Sequence, residues 1–147
     1  MKTKIIVASF FPVYPVTFGS SVVISSFFEN IPFKNKTLYQ VSSKQIKNFK
    51  NVKNVFAYDN IKLLKFIGVL RLIKKIFIDL LNSKNNNILF IEGASWVGYS
   101  FILILVLKIF FSKVKIIYRG HSIEYEIRKK NNSFLISSLS QIKICAY

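Results

Sequence analysis

Short β-rich apolar runs alternate along the chain with longer stretches whose apolar positions recur at helical spacing. Residues 4–10 (KIIVASF) form a β-branched run bounded by Pro12 and Pro15, which predicts a buried strand. Gly19-Ser20 opens a helical stretch, SSVVISSFFEN, that stops near Pro32. Residues 37–42 (TLYQVS) predict a second strand and residues 54–59 (NVFAYD) a short third one. Residues 61–81 carry the longest helical pattern. At about 100° per residue, Leu63, Phe66, Ile67, Leu70, Ile73, Phe77, Ile78 and Leu81 share one face. Lys62, Lys65, Arg71, Lys75 and Asp79 fall on the other. After the polar break NSKNNN come a strand at 88–92 (ILFIE), an apolar helix at 96–111, and a strand at 115–118 (KIIY). Arg119, Gly120, His121 and Ser122 read as a turn, with helix-compatible sequence beyond it.

This rhythm of strand and helix predicts an α/β domain: a Rossmann-like parallel sheet with helices on both faces. With 147 residues and no interdomain linker or internal repeat, one domain over 1–147 is expected. The final residues, SLSQIKICAY, carry no helix stop signal, so the chain reads as truncated inside an element. Residues 1–11 lack a small-residue cleavage site and read as the start of a strand, not a signal peptide. The run WVGYSFILILVLKIFF is 16 residues long and holds Lys108. It falls short of the ~20 needed to span a bilayer and predicts a buried core helix.

Composition narrows the chemistry. One cysteine, Cys145, excludes an internal disulfide and any multi-cysteine zinc site, and one histidine, His121, excludes a multi-histidine metal site. The six carboxylates leave little material for paired-carboxylate catalysis. The net charge of +16 rests on 19 lysines and only three arginines, in a chain that also holds 22 Ile and 12 Asn. Part of it is therefore composition bias toward Ile, Lys and Asn. What remains favours adhesion to an anionic membrane surface over nucleic acid. Specific nucleic-acid readers favour Arg, and here the aromatics sit in apolar runs instead of alternating with Lys.

An open parallel sheet binds ligands beyond the carboxyl ends of its strands. Three segments reach that edge: the loop after the first strand, EGASW after the fourth, and RGHSIEYE after the fifth. In the first, Gly19 allows close approach of a ligand to the main chain, and the N–H groups that follow suit a phosphate. The G-x-G-x-x-G fingerprint of dinucleotide binding is absent. Glu92 ends an apolar strand and needs a partner if buried, for which Arg119 on the neighbouring strand end is a candidate. Trp96 either stacks on a sugar ring or belongs to the core. His121 has the chemistry to move a proton near neutral pH. Glu124 and Glu126 suit the first turn of a following helix.

The segments KIIVASFFPVYPVTFGSS, ILFIEGASWVGYS and KIIYRGHSIEYE, in that order, resemble the N-terminal half of family 4 glycosyltransferases of the GT-B fold. The R-G-H-x-x-E-Y signature is the most specific of them, and the resemblance extends from Met1 to about Lys130. It implies a chain contributing to sugar transfer from a nucleotide-sugar donor to a glycan or lipid-linked acceptor, as in polysaccharide biosynthesis. Retention at the transferred carbon is implied, with no metal and no cofactor. The resemblance further implies that Gly19 and Ser20 approach the donor phosphates and that His121 is catalytic, beside the transferred sugar. Arg119 and Glu124 would flank it, and Glu92 and Trp96 would edge the same cleft. The family's C-terminal donor-binding domain, with its E-x7-E motif, is absent from these 147 residues, and Ser20 replaces a second glycine of the first loop. Catalysis is thus expected only with a donor-domain partner, in the cytoplasm or peripherally at the inner face of the membrane. The alternative is a non-catalytic remnant or a binding subunit.

Overall fold

The computed structural model describes residues 3–43, 49–57, 62–83, 86–92 and 97–119. Five strands form one all-parallel sheet: β1 (Thr3–Ser9), β2 (Lys36–Ser42), β3 (Val52–Phe56), β4 (Asn86–Glu92) and β5 (Lys115–Arg119). Three helices connect them: α1 (Gly19–Asn30), α2 (Lys62–Leu81) and α3 (Val97–Phe110). The strand order is β3-β2-β1-β4-β5. This is the Rossmann-like α/β arrangement that the alternating pattern predicts.

The period-two alternation of β1 divides the core. Ile5 and Val7 pack with Leu38 of β2 and with Ile24 and Phe28 of α1. Ile6 and Ala8 turn to the opposite layer, with Leu72 and Ile76 of α2 and Leu103 and Leu107 of α3. Both faces of the central strand are thus buried, which is why it reads as a nearly continuous apolar run. On α1 the buried positions are Ser21, Ile24, Ser25 and Phe28, one stripe at helical spacing. Its carboxyl end is closed by Lys36, whose Nζ donates to the carbonyls of Phe28, Glu29 and Ile31 at 2.8, 2.8 and 2.9 Å. Those acceptors have no partner within the helix itself.

Three expectations shift. The third strand is Val52–Phe56 and starts two residues before the expected 54–59, because Asn51 turns the chain with a left-handed φ of 62° and Val52 already pairs with Leu38; residues 58 and 59 lie outside the described residues. On α2 the inward stripe is Gly68, Val69, Leu72, Ile73, Ile76 and Leu80, while Ile67, Leu70, Ile78 and Leu81 are exposed. The helix is apolar around most of its girth, so periodicity leaves two stripes available. Gly68 selects between them, because a Cβ there would collide with Ala57 at the end of β3. Finally, among its described side chains α3 buries Ser100, Leu103, Ile104 and Leu107 and exposes Phe101, Leu105, Ile109 and Phe110. It is a surface helix with apolar residues on its outer side. Among the described residues no helix is long and apolar enough to cross a membrane.

Asp79, expected on a solvated face of α2, is instead largely enclosed. Its carboxylate meets Lys4 at 2.8 Å and Lys53 at 3.8 Å, and Lys53 Nζ donates to the Tyr39 hydroxyl at 3.1 Å. Burial, and then the Asp79 charge, push the Tyr39 hydroxyl pKa above its ordinary value. This cluster ties β1, β2 and β3 to the end of α2, and Lys4 and Asp79 set it toward the amino edge of the sheet.

Candidate functional site

The strand order reverses direction between β1 and β4. From β1 the chain builds outward through β2 to β3, and from β4 it builds the other way to β5. A crevice forms at such a switch point beyond the carboxyl ends of the strands. Ser9 and Glu92, the last residues of β1 and β4, are paired there in register.

The loop leaving β1 is held in place by side chains from below. Ser9 is fully buried; its Oγ donates to the Phe11 carbonyl at 2.8 Å and accepts from the Phe11 N–H at 3.3 Å, which folds the chain back at the strand end. Gln40, fully buried in the middle of β2, accepts from the N–H groups of Val13 and Tyr14 at 2.9 Å each. Its amide donates to the Tyr14 carbonyl at 2.9 Å and to Asn54 Oδ1 at 2.6 Å. The Tyr14–Pro15 bond is cis. The Tyr14 hydroxyl donates to Glu29 of α1 at 2.7 Å, and burial, then Glu29, raise its pKa.

The loop ends at the start of α1. Ser21 Oγ accepts from the N–H groups of Thr17 and Phe18 at 3.1 and 3.0 Å and donates to the Phe18 carbonyl at 2.6 Å. Gly19 needs no glycine for the chain's own sake: its φ is not positive, and a Cβ would meet nothing within 4 Å. The helix start is therefore open to a ligand, with the first N–H groups of α1 beside it. Ser20 is half-buried next to it.

At β4 and β5 the structure brings two predicted residues together. Glu92 and Arg119 are cross-strand neighbours, and Arg119 Nη1 donates to Glu92 Oε1 at 2.8 Å. Glu92 is wholly buried, whereas the Arg119 side chain keeps 28% of its surface. Burial raises the Glu92 pKa, and the Arg119 cation only partly opposes that rise. The guanidinium lies 3.8 Å over the ring of Phe27 on α1, and Phe27 stands edge-on to Phe90 of β4, 5.0 Å between centroids. Arg119 is thus fixed by charge on one side and by an aromatic face on another, with its open side at the sheet edge. Ser20 and Phe27 lie seven residues apart on α1, hence on one side of it and about 10 Å along its axis. The same helix connects the open amino end at Gly19 to the seat of Arg119.

Trp96, His121 and Glu124 lie outside the described residues; β5 ends at Arg119, at the carboxyl edge of the sheet. Sequence reasoning missed Phe27, Gln40 and Ser21. Gln40 had a signal, a polar amide inside an apolar strand, which requires buried hydrogen-bond partners. Phe27 had none, being one phenylalanine of a Phe-Phe pair. An open groove of about 740 Å³ between the end of α1 and the start of β3, lined by Phe33, Lys34, Phe49 and Lys50 among others, includes none of Gly19, Ser20, Glu92 and Arg119. Among the described residues no three His, Cys, Asp or Glu side chains gather in a metal-binding group. No family model matches the chain, and neither a curated protein nor a solved structure matches it.

Proposed function

We propose that the chain forms the acceptor-side, N-terminal half of a glycosyltransferase built from two facing Rossmann-like domains. The complete enzyme moves a sugar from a nucleotide-sugar donor to a glycan or lipid-linked acceptor. The observation that carries this reading is the convergence, at one sheet edge, of a side-chain-anchored first loop, an open helix start at Gly19 and the clamped guanidinium of Arg119. Backbone N–H groups and a fixed guanidinium are the donors that phosphate oxygens require. In this reading Gly19 and Ser20 admit the donor phosphates, and Arg119, held by buried Glu92, presents N–H donors at the rim. His121, two residues beyond Arg119, handles the proton at the reacting hydroxyl, with Glu124 and Trp96 on the same cleft margin.

The test joins this chain to a donor-binding domain and measures sugar transfer and nucleotide-sugar binding. Gly19→Val is the informative variant. The structure has space for the side chain, so folding is expected to persist while donor affinity falls tenfold or more. His121→Ala is expected to abolish transfer with donor binding retained. Equal transfer rates for His121→Ala and the parent would remove His121 from the site. Absence of donor and acceptor binding in the joined protein would overturn the whole reading.

A further inference from the structure

The layer formed by α2 and α3 carries large aliphatic and aromatic side chains on its solvent side. From α2 these are Ile67, Leu70, Ile78 and Leu81, the last 62% exposed. From α3 they are Phe101, Leu105, Ile109 and Phe110, with Ile109 68% exposed. The two helices lie side by side, since Phe77 of α2 packs edge-on against Phe110 and Phe111 at 5.3 and 5.0 Å. Helical periodicity places Ile67, Lys74, Ile78 and Leu81 opposite the buried stripe of α2, and Leu105 and Ile109 opposite that of α3. They therefore point away from the sheet together, as one continuous face.

Among the described residues, the exposed charge on this layer has one sign. Between residues 62 and 119 the sequence holds two carboxylates, Asp79 and Glu92. Asp79 is turned inward to Lys4 and Lys53, and Glu92 is buried on the opposite side of the sheet against Arg119. Exposed Lys74 stands among the apolar residues, and Lys113 follows α3. Arg71, Lys75 and Lys108 border them, their side chains donating to the carbonyls of Phe56, Asn54 and Val114 at 3.3, 3.0 and 3.4 Å. A plane of aliphatic side chains edged by cations is the composition of a helix surface seated in a lipid headgroup region. A second copy of the same face would bring like charges together in a chain of net charge +16.

We propose that the outer face of α2 and α3 is a docking surface for an anionic lipid bilayer, with Leu81, Leu105 and Ile109 entering the headgroup boundary and Lys74 meeting lipid phosphates. The face lies across the sheet from α1 and Arg119, so a docked chain keeps its switch-point edge free. The inference rests on exposure and charge alone and is independent of the transferase reading.

The experiment is sedimentation of the full chain with vesicles of phosphatidylglycerol and phosphatidylcholine, against vesicles of phosphatidylcholine alone. Binding is expected to the anionic vesicles and to weaken with salt. The double variant Leu105→Glu/Ile109→Glu is expected to lose about tenfold or more in partitioning, and Lys74→Gln about fivefold. Val22→Glu, on exposed α1, is expected to bind like the parent. A polarity-sensitive dye on Ile109→Cys, in a Cys145→Ser background, is expected to blue-shift with anionic vesicles, and the same dye on Val22→Cys is not. This second readout stands if the double variant fails to fold. The proposal is overturned if the parent ignores anionic vesicles, if the variants on α3 bind as the parent does, or if the Ile109 dye stays in water. It is equally overturned if the parent is a dimer that Leu105→Glu/Ile109→Glu converts to monomer, since the face is then a self-interface.

Discussion

Removing Arg119 isolates the energetics of the candidate site. In Arg119→Leu the wholly buried Glu92 loses the cation 2.8 Å from its carboxylate. Breaking one partner of a buried ion pair costs about 3–5 kcal/mol, because an uncompensated charge stays behind. Arg119 keeps some solvent contact, which sets the expectation at the lower end, about 3 kcal/mol at neutral pH. For a chain of this size that is a fall in Tm of about 6–12 °C. The pH dependence gives the reasoning its sharper test. Burial raises the Glu92 pKa above its ordinary value of 4.5, so the folded chain holds this proton more tightly than the unfolded one. Stability from this group is fully present below that ordinary value and is lost as the pH rises through the raised folded one. Without Arg119 the opposing influence disappears, and the loss extends to higher pH. Thermal and urea unfolding followed by circular dichroism at acidic and neutral pH should show a smaller deficit in acid, where Glu92 is neutral. The double variant Glu92→Gln/Arg119→Leu should recover at least half of the neutral-pH deficit. Equal deficits at both pH values, or a double variant as unstable as the single one, would refute the account of Glu92 as a buried charge held by Arg119.

Other expectations follow from single contacts. Gln40→Leu leaves the N–H groups of Val13 and Tyr14 without their acceptor and should cost about 2–4 kcal/mol in urea unfolding, with faster hydrogen exchange at those two amides. Gly68→Ala gains about 1 kcal/mol of helix propensity but forces a methyl into Ala57, so a net loss of stability is expected; a rise in Tm would show that α2 can lift off β3 freely. Asp79→Ala leaves the partly buried Lys4 without its partner at 2.8 Å and should destabilise by about 2–3 kcal/mol, most of it recovered by adding Lys4→Met.

Much of this architecture was legible in the pattern of apolar runs. The β-branched character of residues 4–10 and 88–92 marks strands buried on both faces, and the alternation of strands with helices requires parallel pairing. The pairing of Glu92 with Arg119 was legible too, because a carboxylate ending an apolar strand needs a cation and the neighbouring strand end supplied one. Phe27 was not legible: its contact with Arg119 depends on where α1 crosses the sheet, which no local spacing encodes. Gly19 was legible as a candidate, and its φ and open surroundings exclude the ordinary structural reasons for a glycine there.

The helix α2 shows most directly where reading by periodicity stops. Its sequence offers two apolar stripes, and Leu63, Phe66, Ile67, Leu70, Ile73, Phe77, Ile78 and Leu81 make the one that spacing favours, of which Ile73 is buried. The fold seats the other. A stripe carrying Gly68 lets the helix approach β3 closely, and close approach gains packing, with Leu72, Ile76 and Leu80 among the buried contacts. The residues turned outward are then large and apolar without packing against the sheet. Scattered single hydrophobes on a surface are ordinary, but a contiguous set spanning two helices is not. That surplus of apolar side chains, beside lysines and, among the described residues, without exposed carboxylates, is what gives the α2 and α3 layer the proposed binding face of its own, separate from the switch-point edge across the sheet.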